Sequence, residues 1–182
     1  MASTQRTEIR FAGSGGQGLI TGARILFKAL ALAGRQAAQS QSYEPTSRGG
    51  FCHSDLVVSD GEPDYPLVTG IDYLVVLDQV GADRSADVIG KETLVVADAR
   101  LVPNPPAEAN IRSLPLTDRA LALGSHRVAN IIALGALVGF TGICPKEALE
   151  QAVRAETPKK FADLNVAAVE EGFRLAEELA VA

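Results

Sequence analysis

Apolar and polar positions follow one another along this chain with a period that changes several times, and each change marks an element. A short apolar run at residues 9–12 has strand character. Leu19, Ile20, Ala23, Leu26, Phe27, Leu30 and Ala33 then recur at three- and four-residue spacing, which predicts an amphipathic helix over residues 19–33 with Arg24 and Lys28 on its polar side. Gly34 stands where such a helix stops. Residues 36–42 are polar but extended in character and read as a second strand. Residues 51–60 alternate, with Cys52, Ser54, Leu56 and Val58 on one side, and residues 65–68 are short and extended. Residues 72–78 and 93–98 are apolar runs of the kind buried on both faces of a parallel sheet, with a short helix or turn at 81–89 between them.

The second half is helical. Residues 103–106 form a loop and 111–116 a short strand, with Thr117 or Asp118 placed to cap the next helix. From Val128 to the end of the stretch 121–140 only Asn130 is polar, which predicts a buried helix, apolar nearly all round. Such a stretch is expected to need more cover than this chain supplies, so the chain alone should dimerise or aggregate. Pro145 and Pro158 sit at the first positions of the last two helices. Phe161, Leu164, Ala168, Val169, Phe173, Ala176 and Leu179 stripe the final one. The order predicts an α/β fold, an open, largely parallel Rossmann-like sheet with flanking helices and a C-terminal helical segment, as a single domain over 1–182.

Composition narrows the function. The chain has 182 residues, 47% of them hydrophobic, enough for a substantial core. A net charge of -5 leaves no basic face for nucleic acid. No apolar run reaches the roughly 18 residues that cross a bilayer, and residues 1–8 lack a signal-peptide core, so no membrane span and a cytoplasmic location are expected. The only cysteines, Cys52 and Cys144, make no C-x-x-C pair and cannot supply the usual thiolate set of an iron–sulfur cluster.

Two stretches carry candidate chemistry. Gly13-Ser14-Gly15-Gly16-Gln17-Gly18 lies between a strand and a helix, where glycines allow a sharp turn and free N–H groups at the helix start favour an anion. The plainer reading is a turn that packs helix on sheet. A dinucleotide site would also want a carboxylate after the second strand. Gln36-Ala37-Ala38-Gln39-Ser40-Gln41-Ser42 has none, so a nicotinamide site is disfavoured. The second stretch, Tyr43-Glu44-Pro45-Thr46-Ser47-Arg48-Gly49-Gly50, has the composition of a binding loop, placed at the carboxyl edge of a βαβ unit, or of a solvated surface loop.

These stretches, with Asn130-Ile131-Ile132-Ala133-Leu134-Gly135-Ala136 and Phe161-Ala162-Asp163-Leu164-Asn165 followed by Gly172, resemble the gamma subunit, or fused gamma domain, of the 2-oxoacid:ferredoxin oxidoreductases over nearly the whole chain. The resemblance implies a subunit of a multi-subunit enzyme that oxidatively decarboxylates a 2-oxoacid to acyl-CoA and CO2. Thiamine diphosphate, Mg and 4Fe-4S clusters are then expected on catalytic and iron–sulfur partner subunits, with electrons passing to ferredoxin or another acceptor. By the same resemblance this chain is expected to sit on the CoA side and to be inactive and colourless in isolation. The family loop reads Ser-Tyr-Gly-Pro-Glu-x-Arg-Gly-Gly, whereas here Glu44 replaces the Gly and Thr46 the Glu. That departure points to a divergent branch, of phenylglyoxylate or 2-oxoglutarate type.

The expected CoA contacts are therefore Gly13, Gly15, Gly16, Gln17, Gly18, Tyr43, Thr46, Ser47, Arg48, Gly49 and Gly50, with no catalytic residue and no metal ligand. Arg48 suits a phosphate, or an ion pair with Glu44 or a partner subunit. Gln17 suits a ligand or the helix start, and Tyr43 an adenine or a neighbouring subunit. His53 and His126 lack metal spacing, Asp72, Asp78 and Asp98 read as strand-end caps, and Cys52 as a small buried hydrophobe. The alternatives to a CoA-side subunit are a purely structural assembly subunit and an independent nucleotide- or flavin-binding oxidoreductase.

Overall fold

The computed structural model describes residues 6–44, 49–59, 61 and 67–181. Six strands form one sheet: β1 (Arg6–Ser14), β2 (Gln36–Tyr43), β3 (Phe51–Ser59), β4 (Ile71–Val76), β5 (Ile89–Asp98) and β6 (Asn110–Leu114), in the order β2-β3-β1-β4-β5-β6. β1, β4, β5 and β6 are mutually parallel, while β3 runs antiparallel to both of its neighbours, β1 and β2. The sheet is thus largely parallel, as expected. The difference is that β2 is not β1's neighbour. Residues 44–50 are too few for the dozen or more that a parallel crossover takes, so β3 turns back as a hairpin and inserts between them.

The helices are α1 (Leu19–Leu32), α2 (Gln79–Asp83), α3 (Leu116–Ala122), α4 (Ala129–Thr141), α5 (Lys146–Glu156) and α6 (Ala162–Val181). Alternation along the buried strands sorts their side chains between two layers. Val75, Leu77 and Val96 join the main core with α1, α4, α5 and α6. Leu74, Val76, Val95 and Ala97 join a thinner one with Ala82 and Val102.

The apolar stretch expected at 121–140 divides in two. Gly124, at φ 100°, ends α3, a 3-10 turn spans His126–Val128, and only then does α4 begin. Leu121 consequently faces solvent at 51% exposure. Every residue from Ala129 to Val138 is buried. The chain itself provides the cover: α6 crosses α4 so closely that Gly135 approaches the Val169 carbonyl and Gly172 the Ile132 carbonyl. An ideal Cβ on Gly172 would lie 2.6 Å from the backbone nitrogen of Ala136. The apolar helix therefore needs no outside partner.

The capping expectation is also revised. Neither Thr117 nor Asp118 caps α3, because the helix starts at Leu116. Asp98, wholly buried at the end of β5, reaches across and accepts from the Thr117 backbone N–H at 3.0 Å and from its hydroxyl. Asp78 caps α2 by accepting from the Val80 N–H at 3.1 Å, and Asp72 accepts from the Glu8 N–H at 2.7 Å. The strand-end carboxylates do act as backbone caps. Pro145 precedes α5 as its cap residue instead of opening it, and Pro158 precedes a 3-10 turn that leads into α6.

Candidate functional site

The glycine-rich turn forms where β1 ends and α1 begins. Gly16 and Gly18 have positive φ of 100° and 75°, conformations open to glycine at little cost. Gly18 has a second constraint: an added Cβ would lie 2.5 Å from Asn130 Nδ2, whose amide donates to the Gly18 carbonyl at 3.0 Å. Gly15 and Gly16 are exposed and Gly13 is buried. Gln17 neither caps α1 nor points free. Its Oε1 accepts from the Ser14 N–H at 2.9 Å and its Nε2 donates to the Leu77 carbonyl at 2.8 Å, so the side chain ties the turn to the end of β4.

The two loops singled out in the sequence do meet. The Gly15 N–H donates to the Gly50 carbonyl at 2.9 Å, joining the turn to the β2–β3 connection. They become neighbours because β3 starts beside the end of β1, with Ser14 opposite Phe51, and not through a βαβ unit. Gly49 has φ 80°. Tyr43 ends β2 opposite Cys52. The Tyr43 side chain, together with Thr46, Ser47 and Arg48, lies outside the described residues. Glu44 pairs with Arg84 at 3.3 Å, and its other oxygen accepts from the Phe51 N–H.

Beside the glycine turn opens a cleft of about 1120 Å³. Gly16 to Gly18 and Leu77 form one wall and Asp98 with Thr117 another; the first turn of α4 and the start of α6 close it. Two asparagines line it, both nine-tenths buried. Asn165 spends its amide N–H on the Phe161 carbonyl at 2.8 Å. Asn130 spends its Nδ2 on Gly18 and leaves Oδ1 buried without a partner among the described residues. A buried amide oxygen left unpaired is costly, which marks this corner as one where a ligand donor would be accepted. His126 and Arg127, both exposed, stand at the positive end of the α4 dipole on the rim. The sequence named His126 only as lacking metal spacing and gave no sign of Arg127. Asn130 was legible as the lone polar residue of an apolar helix, since buried polar groups take partners. A depression of about 420 Å³ at the opposite sheet edge, lined by Arg6, Glu8, Asp72 and Thr93, has no such free group. The carboxylates of Glu8 and Asp72 there are committed to the Thr69, Gly70 and Glu8 backbone.

His53 and the two cysteines are packed into the fold. His53 stacks on Phe51 at 5.0 Å, 3.8 Å from Asp55, and burial lowers its pKa. Among the described residues no group of His, Cys, Asp and Glu is arranged to hold a metal ion. Both cysteines are buried; burial raises the Cys52 thiol and pushes that of Cys144 up to about 11. In native buffer at pH 8 both are expected to resist an aromatic disulfide reagent and to react only after denaturation. Rapid stoichiometric labelling of the folded chain would contradict that.

A family model described as pyruvate ferredoxin/flavodoxin oxidoreductase matches residues 8–175. The chain is 38% identical over 179 residues to the 2-oxoglutarate synthase subunit KorC of Methanocaldococcus jannaschii, covering 96% of each protein. Its fold is similar to the gamma subunit of a keto/oxoacid ferredoxin oxidoreductase from Geobacter sulfurreducens, with TM-score 0.86, 38% identity, and 96% and 98% of the two chains covered. It also superposes, at TM-score 0.88 and 23% identity, on 32% of a chain of the 2-oxoglutarate:ferredoxin oxidoreductase from Magnetococcus marinus, with 97% of this chain covered; this second likeness concerns the fold alone. Six-stranded sheet, glycine turn and near-complete coverage agree: this chain belongs to the pyruvate ferredoxin/flavodoxin oxidoreductase family, as a gamma subunit of a 2-oxoacid:ferredoxin oxidoreductase.

Proposed function

We propose that this subunit, acting as one gamma-type unit over residues 1–182, supplies the CoA side of the complex and docks the subunits that carry thiamine diphosphate, Mg and the 4Fe-4S clusters. The observation that carries the reading is that the first glycine-rich loop lines a cleft at the carboxyl edge of the sheet, with the second loop joined to it by the Gly15–Gly50 hydrogen bond. The backbone N–H groups at the start of α1, the α4 dipole, Arg127 and Arg48 provide positive potential for the phosphates of CoA. The unpaired Asn130 Oδ1 accepts from an amide or hydroxyl of its pantetheine arm. The thioester-forming thiol would then extend toward a partner subunit, where the acyl group is generated. Similarity to the KorC subunit favours 2-oxoglutarate as the 2-oxoacid. Ferredoxin or another carrier takes the electrons, and the complex works in the cytoplasm. Among the described residues no helix is long and apolar enough to cross a membrane.

In the assembled complex, Arg48→Ala is expected to raise the apparent KM for CoA. Loss of one charge-assisted contact costs about 1.5–3 kcal/mol, on the order of tenfold to a hundredfold in affinity. Arg127→Ala should act in the same direction. The decarboxylation half-reaction, followed without CoA, should be unchanged in both. Gly15→Val should resemble Arg48→Ala by steric exclusion. If these variants keep their CoA kinetics but shed subunits, the chain is an assembly subunit and this reading fails.

A further inference from the structure

The two buried carboxamides of the cleft are oriented by their own hydrogen bonds. Asn130 gives its Nδ2 to the Gly18 carbonyl at 3.0 Å, and Asn165 gives its Nδ2 to the Phe161 carbonyl at 2.8 Å. A carbonyl oxygen accepts only from the nitrogen end of an amide, so each Oδ1 is turned away from that carbonyl and held there. Asn130 Oδ1 is buried without a partner, and Asn165 Oδ1 takes no donor among the described residues. The helices that carry them run the same way: Gly135 of α4 meets Val169 of α6, and Gly139, one turn on, meets Phe173 and Ala176. Asn130 lies five residues before Gly135 and Asn165 four before Val169, so both stand about 6–8 Å ahead of the crossing, one on each helix. Asp98, on another wall, is already filled by the Arg100 and Thr117 N–H groups and the Thr117 hydroxyl. Its charge keeps phosphates on the side of α1 and Arg127. The carboxamides therefore offer acceptors only, on two separate helices.

Given the CoA reading proposed above, on which this rests, we infer that Asn130 and Asn165 read the two amide N–H groups of the pantetheine arm. The acyl acceptor is then selected by its arm, and a phosphopantetheine thiol without adenosine also serves. A trans amide points its carbonyl away from its N–H, so an arm that gives both N–H groups to the asparagines turns both carbonyls to the cleft mouth. Adenine fits these oxygens badly. Its one amine is flanked by ring nitrogens that are acceptors themselves, and those would face the same oxygens. Phosphate brings only further acceptors. Leu101, Phe161 and Leu164 line the cleft beside the asparagines and suit the methylene and dimethyl carbons of the arm. The reaction balances as it does with CoA. The bond to the carboxylate breaks and CO2 leaves, the thiol gives up its proton, a sulfur–carbonyl bond forms, and two electrons pass to ferredoxin or another carrier.

The test uses the assembled complex. Phosphopantetheine should be acylated with a kcat close to that of CoA and a higher KM. Asn165→Ala should raise the KM of both by about three- to tenfold, the effect of one neutral hydrogen bond. It should leave the inhibition constant of ADP, the nucleotide half, unmoved. An arm with ester oxygens in place of its amide nitrogens should bind the wild-type complex about tenfold more weakly or worse, a measurement that needs no variant to fold. Failure to use phosphopantetheine overturns the inference. So does an ester arm as good as the amide, or an ADP constant that rises with Asn165→Ala. If Arg48→Ala and Arg127→Ala nevertheless raise the KM for CoA in the same experiments, the CoA reading stands without this one. If they too change nothing, the CoA reading falls with it.

Discussion

Gly172→Val should be the most damaging single substitution in the helical layer, costing at least about 3 kcal/mol and lowering the melting temperature by roughly 6–12 °C for a chain of this size. The neighbours an added Cβ would meet at Gly172 are the Ile132 carbonyl and the Ala136 nitrogen, both backbone atoms of α4. A side chain can change rotamer to make room, but a helix backbone can only move away. Separating α4 from α6 opens the whole interface that keeps Ala129 to Val138 dry. Gly22, in the middle of α1, is the internal control. A Cβ there would lie 3.5 Å from the Phe11 ring, an ordinary contact. Gly22→Ala should be neutral or stabilising by up to about 1 kcal/mol, through helix propensity. Thermal and urea denaturation of the two variants check both signs. Equal behaviour would show that the α4–α6 crossing is not held at backbone contact.

Asp55→Ala should cost about 3–5 kcal/mol, the usual result of leaving one member of a buried ion pair behind. Arg10 Nε and one of its terminal nitrogens each meet a carboxylate oxygen of Asp55 at 2.8 Å, and the two side chains are 12% and 6% exposed. The pair bridges β1 and β3 in register, Arg10 opposite Asp55. With the carboxylate gone, the guanidinium keeps its desolvation cost and loses its compensation. His53 would lose the one neighbouring charge that favours its protonated form, so its pKa should fall further below the ordinary value. The double variant Arg10→Met with Asp55→Leu should recover most of the loss, because a well-packed apolar pair removes the cost along with the attraction. A loss below about 1 kcal/mol in the single variant would mean that water reaches the pair and screens it.

Much of this molecule can be read from residue order because period and burial coincide. The runs at 72–78 and 93–98 are apolar between polar ends because β4 and β5 are covered on both faces, and the middle of the α6 stripe, Val169, Phe173 and Ala176, meets α4, while Phe161 and Leu179 at its ends are exposed. Strand direction was harder. An alternating strand such as β3 looks the same whether it runs with or against its neighbours, although the seven residues from Glu44 to Gly50 were too short a link for a crossover. The break at Gly124 was missed because hydrophobic content stays high on both sides of it, while a single positive φ decides the geometry. The cap of α3 by Asp98 joins residues 19 apart, and the bond from Asn130 to Gly18 joins residues 112 apart. No local pattern encodes either. The sequence could nominate Asn130 as a buried polar group in need of a partner, but not say which partner.

The same long-range bond has a consequence for how the protein comes into being. During synthesis the glycine turn and α1 leave the ribosome well before α4 does, because Asn130 follows Gly18 by 112 residues. Until α4 arrives, the Gly18 carbonyl has only the Gly22 N–H of its own helix as donor, and the cleft lacks a wall. Contacts so distant in sequence pay loop-closure entropy before they return anything, and they form late. The glycine turn in its final setting is thus a product of finished folding and not a seed for it. A nascent or truncated chain that stops short of α4 has the turn without the cleft, so a complete cleft reports that the last helices have docked.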